Sequence, residues 1–233
     1  MEKIKLLLVE DDANLAYMIK SNLEDILEEY EVRLAYNGKE GLESLKSFTP
    51  DAIVSDIDMP VMNGLEMVKI IRQTNPDIPI AFASGKIGSK DVTQGYNAGV
   101  DNYIKKPFTH EELDAHIKAL INIKNNSRLR LINAIHKIGN YTFDPKNLSL
   151  TYNDSEKKIM TSKESQILAL LWEHKGEIVK RSDIIEKCWE KADPIFASRS
   201  LDVFITKLRG YLSKDPSVSI KNIKSTGLIL DFD

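Results

Sequence analysis

Cysteine is all but missing from this chain; Cys188 is the only one. A single thiol rules out an internal disulfide and suits a reducing cytoplasm. The four histidines, His110, His116, His136 and His174, show no ligand spacing, so no metal use is read from them. No apolar run is long enough to span a membrane. The opening Met-Glu-Lys-Ile-Lys reads as the start of a strand, not as a signal peptide. The expectation is a cytoplasmic protein without a membrane partner. No internal repeat or low-complexity segment is visible.

What is present is a chain of 233 residues, enough for one large or two modest domains. Its net charge of -3 hides an asymmetry. Residues 1–122 carry 13 Lys and Arg against 21 Asp and Glu, a balance of -8, and residues 123–233 carry 19 against 14, a balance of +5. An acidic half followed by a basic one suggests a cation-binding domain joined to an anion-binding one, with nucleic acid as the anion.

In the acidic half, short apolar runs end in chemically useful residues. Ala52-Ile53-Val54 leads into Asp56, and Met59-Pro60 closes the segment. A short apolar run bounded by turn signals reads as a buried strand of a parallel sheet. Asp56 then sits at the carboxyl end of that strand, where open α/β sheets place their ligands. Ile4 to Val9 ends in Glu10-Asp11-Asp12, three acids whose repulsion a hard divalent cation would relieve. Asp11-Asp12 also fits a helix N-terminus, where acids complement the dipole. Pro79 to Ala83 ends in Ser84, and a fourth run from Asp101 ends in Lys106-Pro107. Strands are expected near 4–9, 31–36, 52–56, 79–84 and 101–105, with helices near 13–28, 38–47, 64–74, 89–98 and 109–122. That alternation implies a parallel sheet with helices on both faces. Thr109-His-Glu-Glu112 is a capping box opening the last helix.

A linker is expected at 123–137, although Arg128 to Ile135 recovers some helical period and leaves continuation of the last helix open. Beyond it, Tyr141–Pro145, Leu148–Tyr152 and Lys158–Met160 read as a small antiparallel sheet. Helices follow from Thr161 to about Lys175, Arg181 to Trp189 and Ala197 to Leu212, and then a hairpin pairing 219–223 with 228–230.

These motifs, in this order, resemble an OmpR/PhoB-type response regulator of two-component signalling. The resemblance implies a flavodoxin-like, doubly wound, five-stranded receiver over 1–122. It also implies an α+β winged helix-turn-helix DNA-binding domain over 138–233. It makes Asp56 the phosphoacceptor for a sensor histidine kinase, and Ser84 and Lys106 its helpers, in a regulator that is not an enzyme. Mg2+ is the expected cofactor, with Asp12 and Asp56 as direct ligands, Asp11 through water and the backbone carbonyl of Asp58 as a further ligand. The Lys106-Pro107 bond is expected to be cis. Ser84 would close on the phosphoryl group, and Tyr103 matches an aromatic switch that packs inward afterwards. Phosphorylation is expected to drive homodimerisation and binding to double-stranded DNA, with RNA polymerase as a further partner.

In the third C-terminal helix, Leu201, Ile205, Leu208 and Leu212 share a helical face and are expected in the core. That leaves Arg199, Val203, Thr206, Lys207 and Arg209 toward DNA, with Thr206 and Lys207 at base edges and Arg199 and Arg209 at phosphates. Arg181 and Lys224 in the wing are expected phosphate contacts. The chain departs from the family at the receiver's dimer face, where Gln94, Asn97, Asn102 and His116 replace charges and Asp101, Glu112 and Lys118 remain. It departs again at Phe204, which replaces a phosphate-touching histidine, at Gly210, and in a wing without the family's arginine. Two other readings are open. One is a receiver that signals through protein contacts with a weakened DNA-binding domain. The other is a haloacid-dehalogenase-like phosphatase using Asp56-x-Asp58, for which no cap domain is evident.

Overall fold

The computed structural model describes residues 3–85, 89–131, 135–189, 194–224 and 226–232, with backbone alone at 89–91, 123–131 and 194–195. The chain divides into two compact units, Met1–Asn122 and Ile123–Asp233. The first is a parallel sheet of five strands in the order β2-β1-β3-β4-β5. Its strands are β1 (Ile4–Val9), β2 (Tyr30–Ala35), β3 (Ala52–Ser55), β4 (Ile80–Ser84) and β5 (Asn102–Lys105). β3 and β4 are buried along their whole length because helices cover both faces. β2, at the edge, alternates buried and exposed residues over most of its length. Register sets the site: Val9 pairs with Ser55 and Ser84 with Lys105, so the carboxyl ends of the inner strands lie side by side.

The helices are α1 (Ala13–Ser21), α2 (Gly38–Ser44), α3 (Gly64–Thr74), α4 (Ser89–Ala98) and α5 (His110–Leu131). Three differ in length from the sequence expectation, and of these α2 ends at Ser44, short of the expected 47. α1 stops early and passes into a π-helical turn, Asn22–Ile26. The wider turn keeps Leu23 in the core while Glu24 accepts from the Val32 N–H at 2.6 Å. α5 opens on the expected capping box, with Thr109 N–H donating to Glu112 Oε2 at 2.9 Å. It then continues as far as Leu131. The first part of the expected 123–137 linker is therefore helix, 132–134 lie outside the described residues, and β6 occupies the end.

The second unit holds a four-stranded antiparallel sheet: β6 (His136–Ile138), β7 (Tyr141–Asp144), β8 (Ser149–Tyr152) and β9 (Glu156–Ile159). Three helices follow, α6 (Ser162–Glu173), α7 (Arg181–Cys188) and α8 (Pro194–Leu212), with β10 (Val179–Lys180) between the first two. β11 (Ser219–Ile223) and β12 (Gly227–Asp231) form the terminal hairpin, and β10 adds to it in the order β10-β12-β11. Thr161 and Glu164 cap α6 reciprocally.

Candidate functional site

Four strand ends build the first site. Asp56 follows β3, and its N–H donates to the Val9 carbonyl at 2.9 Å, which ties it to the end of β1. Lys106 follows β5, and its N–H donates to the Ser84 carbonyl at 3.0 Å, which ties it to the end of β4. Its side chain turns across the sheet ends. Nζ lies 2.6 Å from Asp56 Oδ2 and 2.6 Å from Glu10 Oε2. The Lys106-Pro107 peptide is cis. Ser84 is buried beside them at the end of β4.

Glu10, Asp11 and Asp56 each offer an oxygen, and these oxygens lie within 4.8 Å of one another. Burial raises the pKa of Glu10, although the Lys106 hydrogen bond works against the rise. Burial lowers that of Lys106, but hydrogen bonds to Asp56 and Glu10 outweigh it, so the ammonium holds its proton above the usual lysine range. Three clustered carboxylates and one ammonium are a donor set suited to a hard cation and a phosphoryl group.

The acidic pair is shifted by one residue from the sequence expectation. Asp12 is the N-cap of α1, where its Oδ1 accepts from Asn14 N–H at 2.9 Å and Leu15 N–H at 3.1 Å. It stands outside the cluster, and Glu10, singled out only as part of an acidic run, stands inside it. The strand ends at Val9, so Glu10 and Asp11 are the first residues past it, while Asp12 directly precedes a helix. Asp58 is exposed in the loop after Asp56, and among the described residues its carboxylate is not in the cluster either. Tyr103 points inward, only 4% exposed, between Phe82 and Tyr96.

In the second unit, α8 buries Leu201, Ile205, Leu208 and Leu212 and exposes Arg199, Asp202, Thr206 and Arg209. Val203 and Lys207 are half-buried, and Lys224 is exposed at the tip of β11.

A family described as the response regulator receiver domain matches residues 6–118. One described as the C-terminal domain of transcriptional regulatory proteins matches residues 155–230. The transcriptional regulatory protein RprY of Bacteroides fragilis (strain YCH46) is 36% identical over 226 residues, which cover 97% of this chain and 94% of RprY. The response regulator ArlR of Staphylococcus saprophyticus is 34% identical over 229 residues, covering 97% and 98%. The chain belongs to the OmpR/PhoB-type response regulators. Solved structures agree on the fold: DrrB, a Thermotoga maritima OmpR/PhoB homolog, matches with a TM-score of 0.50 at 24% identity over 98% of this chain and 99% of its own. A mutant of RitR matches with 0.75 at 23% identity over 99% and 100%.

As a response regulator the chain controls transcription, and a receiver joined to this kind of C-terminal domain implies a histidine kinase and DNA as its partners. Neither the phosphatase nor the receiver acting through protein contacts alone finds support among the relatives. Several of the expected contact residues also have partners within the protomer. Asp101, expected on the dimer face, is buried, accepting from Arg72 Nη2 at 2.8 Å and from Ile80 N–H at 2.9 Å. Lys118 pairs with Glu29 at 2.8 Å and Asp114 at 3.0 Å, and Glu112 is taken by the α5 cap. Lys207, expected at a base edge, lies 3.3 Å from Glu164 Oε1. Arg209 donates from Nε to the Ile220 carbonyl at 2.9 Å, and Arg181 pairs with Asp202 at 2.7 Å. Phe204 is fully buried against Trp189, so the helix face that carries a phosphate contact in the family is core here.

Proposed function

We propose that Asp56 accepts a phosphoryl group from a sensor histidine kinase, and that this controls DNA binding by the second domain. The observation that carries the reading is the placement of the Asp56 carboxylate against the Lys106 ammonium and within 4.8 Å of the Glu10 and Asp11 oxygens. An Asp56 oxygen attacks phosphorus, the bond to the donor breaks, and Lys106 balances charge on the transferred group. Asp11 and Asp56, with Glu10 beside them and the Asp58 backbone carbonyl, would hold Mg2+, which supplies charge neutralisation to the phosphoryl oxygens. Ser84, at the neighbouring strand end, donates a hydrogen bond to the phosphoryl group, and Tyr103 follows it as the switch.

On the DNA side, Arg199, Val203 and Thr206 face the major groove, with Arg181, Arg209 and Lys224 at phosphates. Lys207 contributes only after leaving Glu164. Phosphorylation drives homodimerisation, and pairing then rests on contacts other than Asp101, Glu112 and Lys118. The regulator works in the cytoplasm, where RNA polymerase is a further partner, and it turns over no substrate of its own.

The test is labelling with radioactive acetyl phosphate and Mg2+. Wild-type chain takes the label and Asp56→Ala does not; label retained on Asp56→Ala overturns the assignment. Light scattering with beryllofluoride and Mg2+ then reads whether the monomer becomes a dimer.

A further inference from the structure

Tyr103 occupies a slot whose walls no motif announces. Its ring lies 5.6 Å from that of Phe82, in β4, at 66°, and 5.2 Å from that of Tyr96, in α4, at 57°. All three rings are buried. The hydroxyl end of Tyr103 runs up to the backbone of α4 at Gly95. A Cβ on Gly95 would stand 1.8 Å from Oη and 2.7 Å from Cζ. Atoms cannot come so close, so a side chain at 95 and an inward Tyr103 exclude one another. Val92, Gly95, Tyr96 and Gly99 recur at helical spacing and are all buried, so position 95 must face inward. Its missing Cβ is what makes the room.

The slot also reaches toward the phosphoacceptor. A Cβ on Gly64, the first residue of α3, would stand 2.9 Å from Phe82 Cε1 and 2.2 Å from the Asp56 carbonyl oxygen. Asp56, Gly64, Phe82, Tyr103 and Gly95 therefore form one line of close contacts from the acidic cluster to α4. Close-packed interiors shift between discrete arrangements and do not deform smoothly.

We propose that Gly95 admits Tyr103 to the interior, with Phe82 and Tyr96 as the walls of the slot, and that any larger residue at 95 keeps Tyr103 out of it. The proposal rests on the reading of Asp56 as phosphoacceptor and Tyr103 as switch, and it assigns positioning roles to three residues outside that reading.

The test uses the full chain labelled with 3-fluorotyrosine, with the Tyr103 resonance assigned by its loss in Tyr103→Phe. In the wild type that resonance is expected at a buried position, as in the structure, both with and without beryllofluoride and Mg2+. In Gly95→Ala the resonance takes a solvent-exposed position and ignores beryllofluoride, while Asp56 still accepts label from acetyl phosphate at the wild-type rate. Urea unfolding supplies a second measure. Ala is favoured over Gly inside a helix. Gly95→Ala should raise the unfolding constant at least tenfold when Tyr103 is present, through the clash, and lower it in a Tyr103→Leu background. Should Gly95→Ala alone fail to fold, recovery of folding in the Tyr103→Leu background supports the slot equally. A Tyr103 resonance left unmoved by Gly95→Ala, or the same cost of Gly95→Ala in both backgrounds, overturns it. Wild-type chain that takes no label would overturn the phosphoacceptor reading and leave the slot result standing.

Discussion

Asp11 and Asp12 are neighbours with different roles. Asp12 holds two N–H groups at the start of α1, and Asp11 joins the acidic cluster. Asp12→Ala should cost about 1 kcal/mol of stability, the usual value of a lost cap, and leave labelling of Asp56 intact. Asp11→Ala should do the reverse: near-normal urea unfolding, with Mg2+-dependent labelling reduced at least tenfold. Val61 is the other informative residue. It sits at φ +67° with the Met62 N–H donating to the Pro60 carbonyl at 2.7 Å, which makes it the centre of a strained γ-turn. It is also 80% exposed, so its side chain gains little from packing. A β-branched residue in this region costs roughly 1–2 kcal/mol. Val61→Gly should raise unfolding stability by about 1 kcal/mol, read from the urea midpoint. Asp56, Ser84 and Lys106 were legible from sequence because each closes an apolar run. Glu10 was not, since three consecutive acids carry no mark of where the strand ends.

Among the elements, α8 packs through its buried apolar face and also meets α6 at one carboxylate. Glu164 caps α6, accepts from the Tyr211 hydroxyl at 3.1 Å and lies 3.3 Å from Lys207 Nζ, and it is almost wholly buried. Burial and the nearby Glu164 carboxylate hold the Tyr211 phenol well above the usual tyrosine range. Glu164→Ala removes half of the α6 capping box and the carboxylate that meets Tyr211 and Lys207, and should destabilise the second unit by about 2–3 kcal/mol. Glu164→Gln keeps the geometry and should cost less than half as much, with tryptophan fluorescence in urea as the measure. The major helices and the buried strands could be read from period and capping signals. β6 and β10 could not, because runs of three and two residues are too short to show alternation. The end of α5 lies beyond the expected 122 for another reason: Asn122 to Ser127 breaks the apolar period, although helical backbone tolerates it, and the period that returns from Arg128 is the one sign of the continuing helix.

For the molecule as a whole, the charge division proved a fair guide: the acid cluster lies in the acidic unit, and the family's DNA-binding domain is the basic one. The dimer face was less legible, since sequence shows that a charge is present and not that another residue of the same protomer has taken it, as Arg72 takes Asp101. Sheet topology has one more consequence, which concerns time. In the first unit Leu6 must find Ala52 and Ile53 must find Ile80, whereas in the second Tyr141 pairs with Tyr152 and Ile223 with Gly227, and the two-residue β10 reaches across from Val179 to Leu228. Chain segments far apart in sequence meet slowly, because loop-closure entropy is lost before the contacts form. Both tryptophans, Trp172 and Trp189, lie in the second unit, so their fluorescence follows that unit alone. On dilution from urea the tryptophan signal should recover before the acetyl phosphate labelling that requires a complete parallel sheet. The half that reads DNA would then be assembled before the half that governs it, and a chain refolding from urea would pass through a brief period of ungoverned contact with DNA.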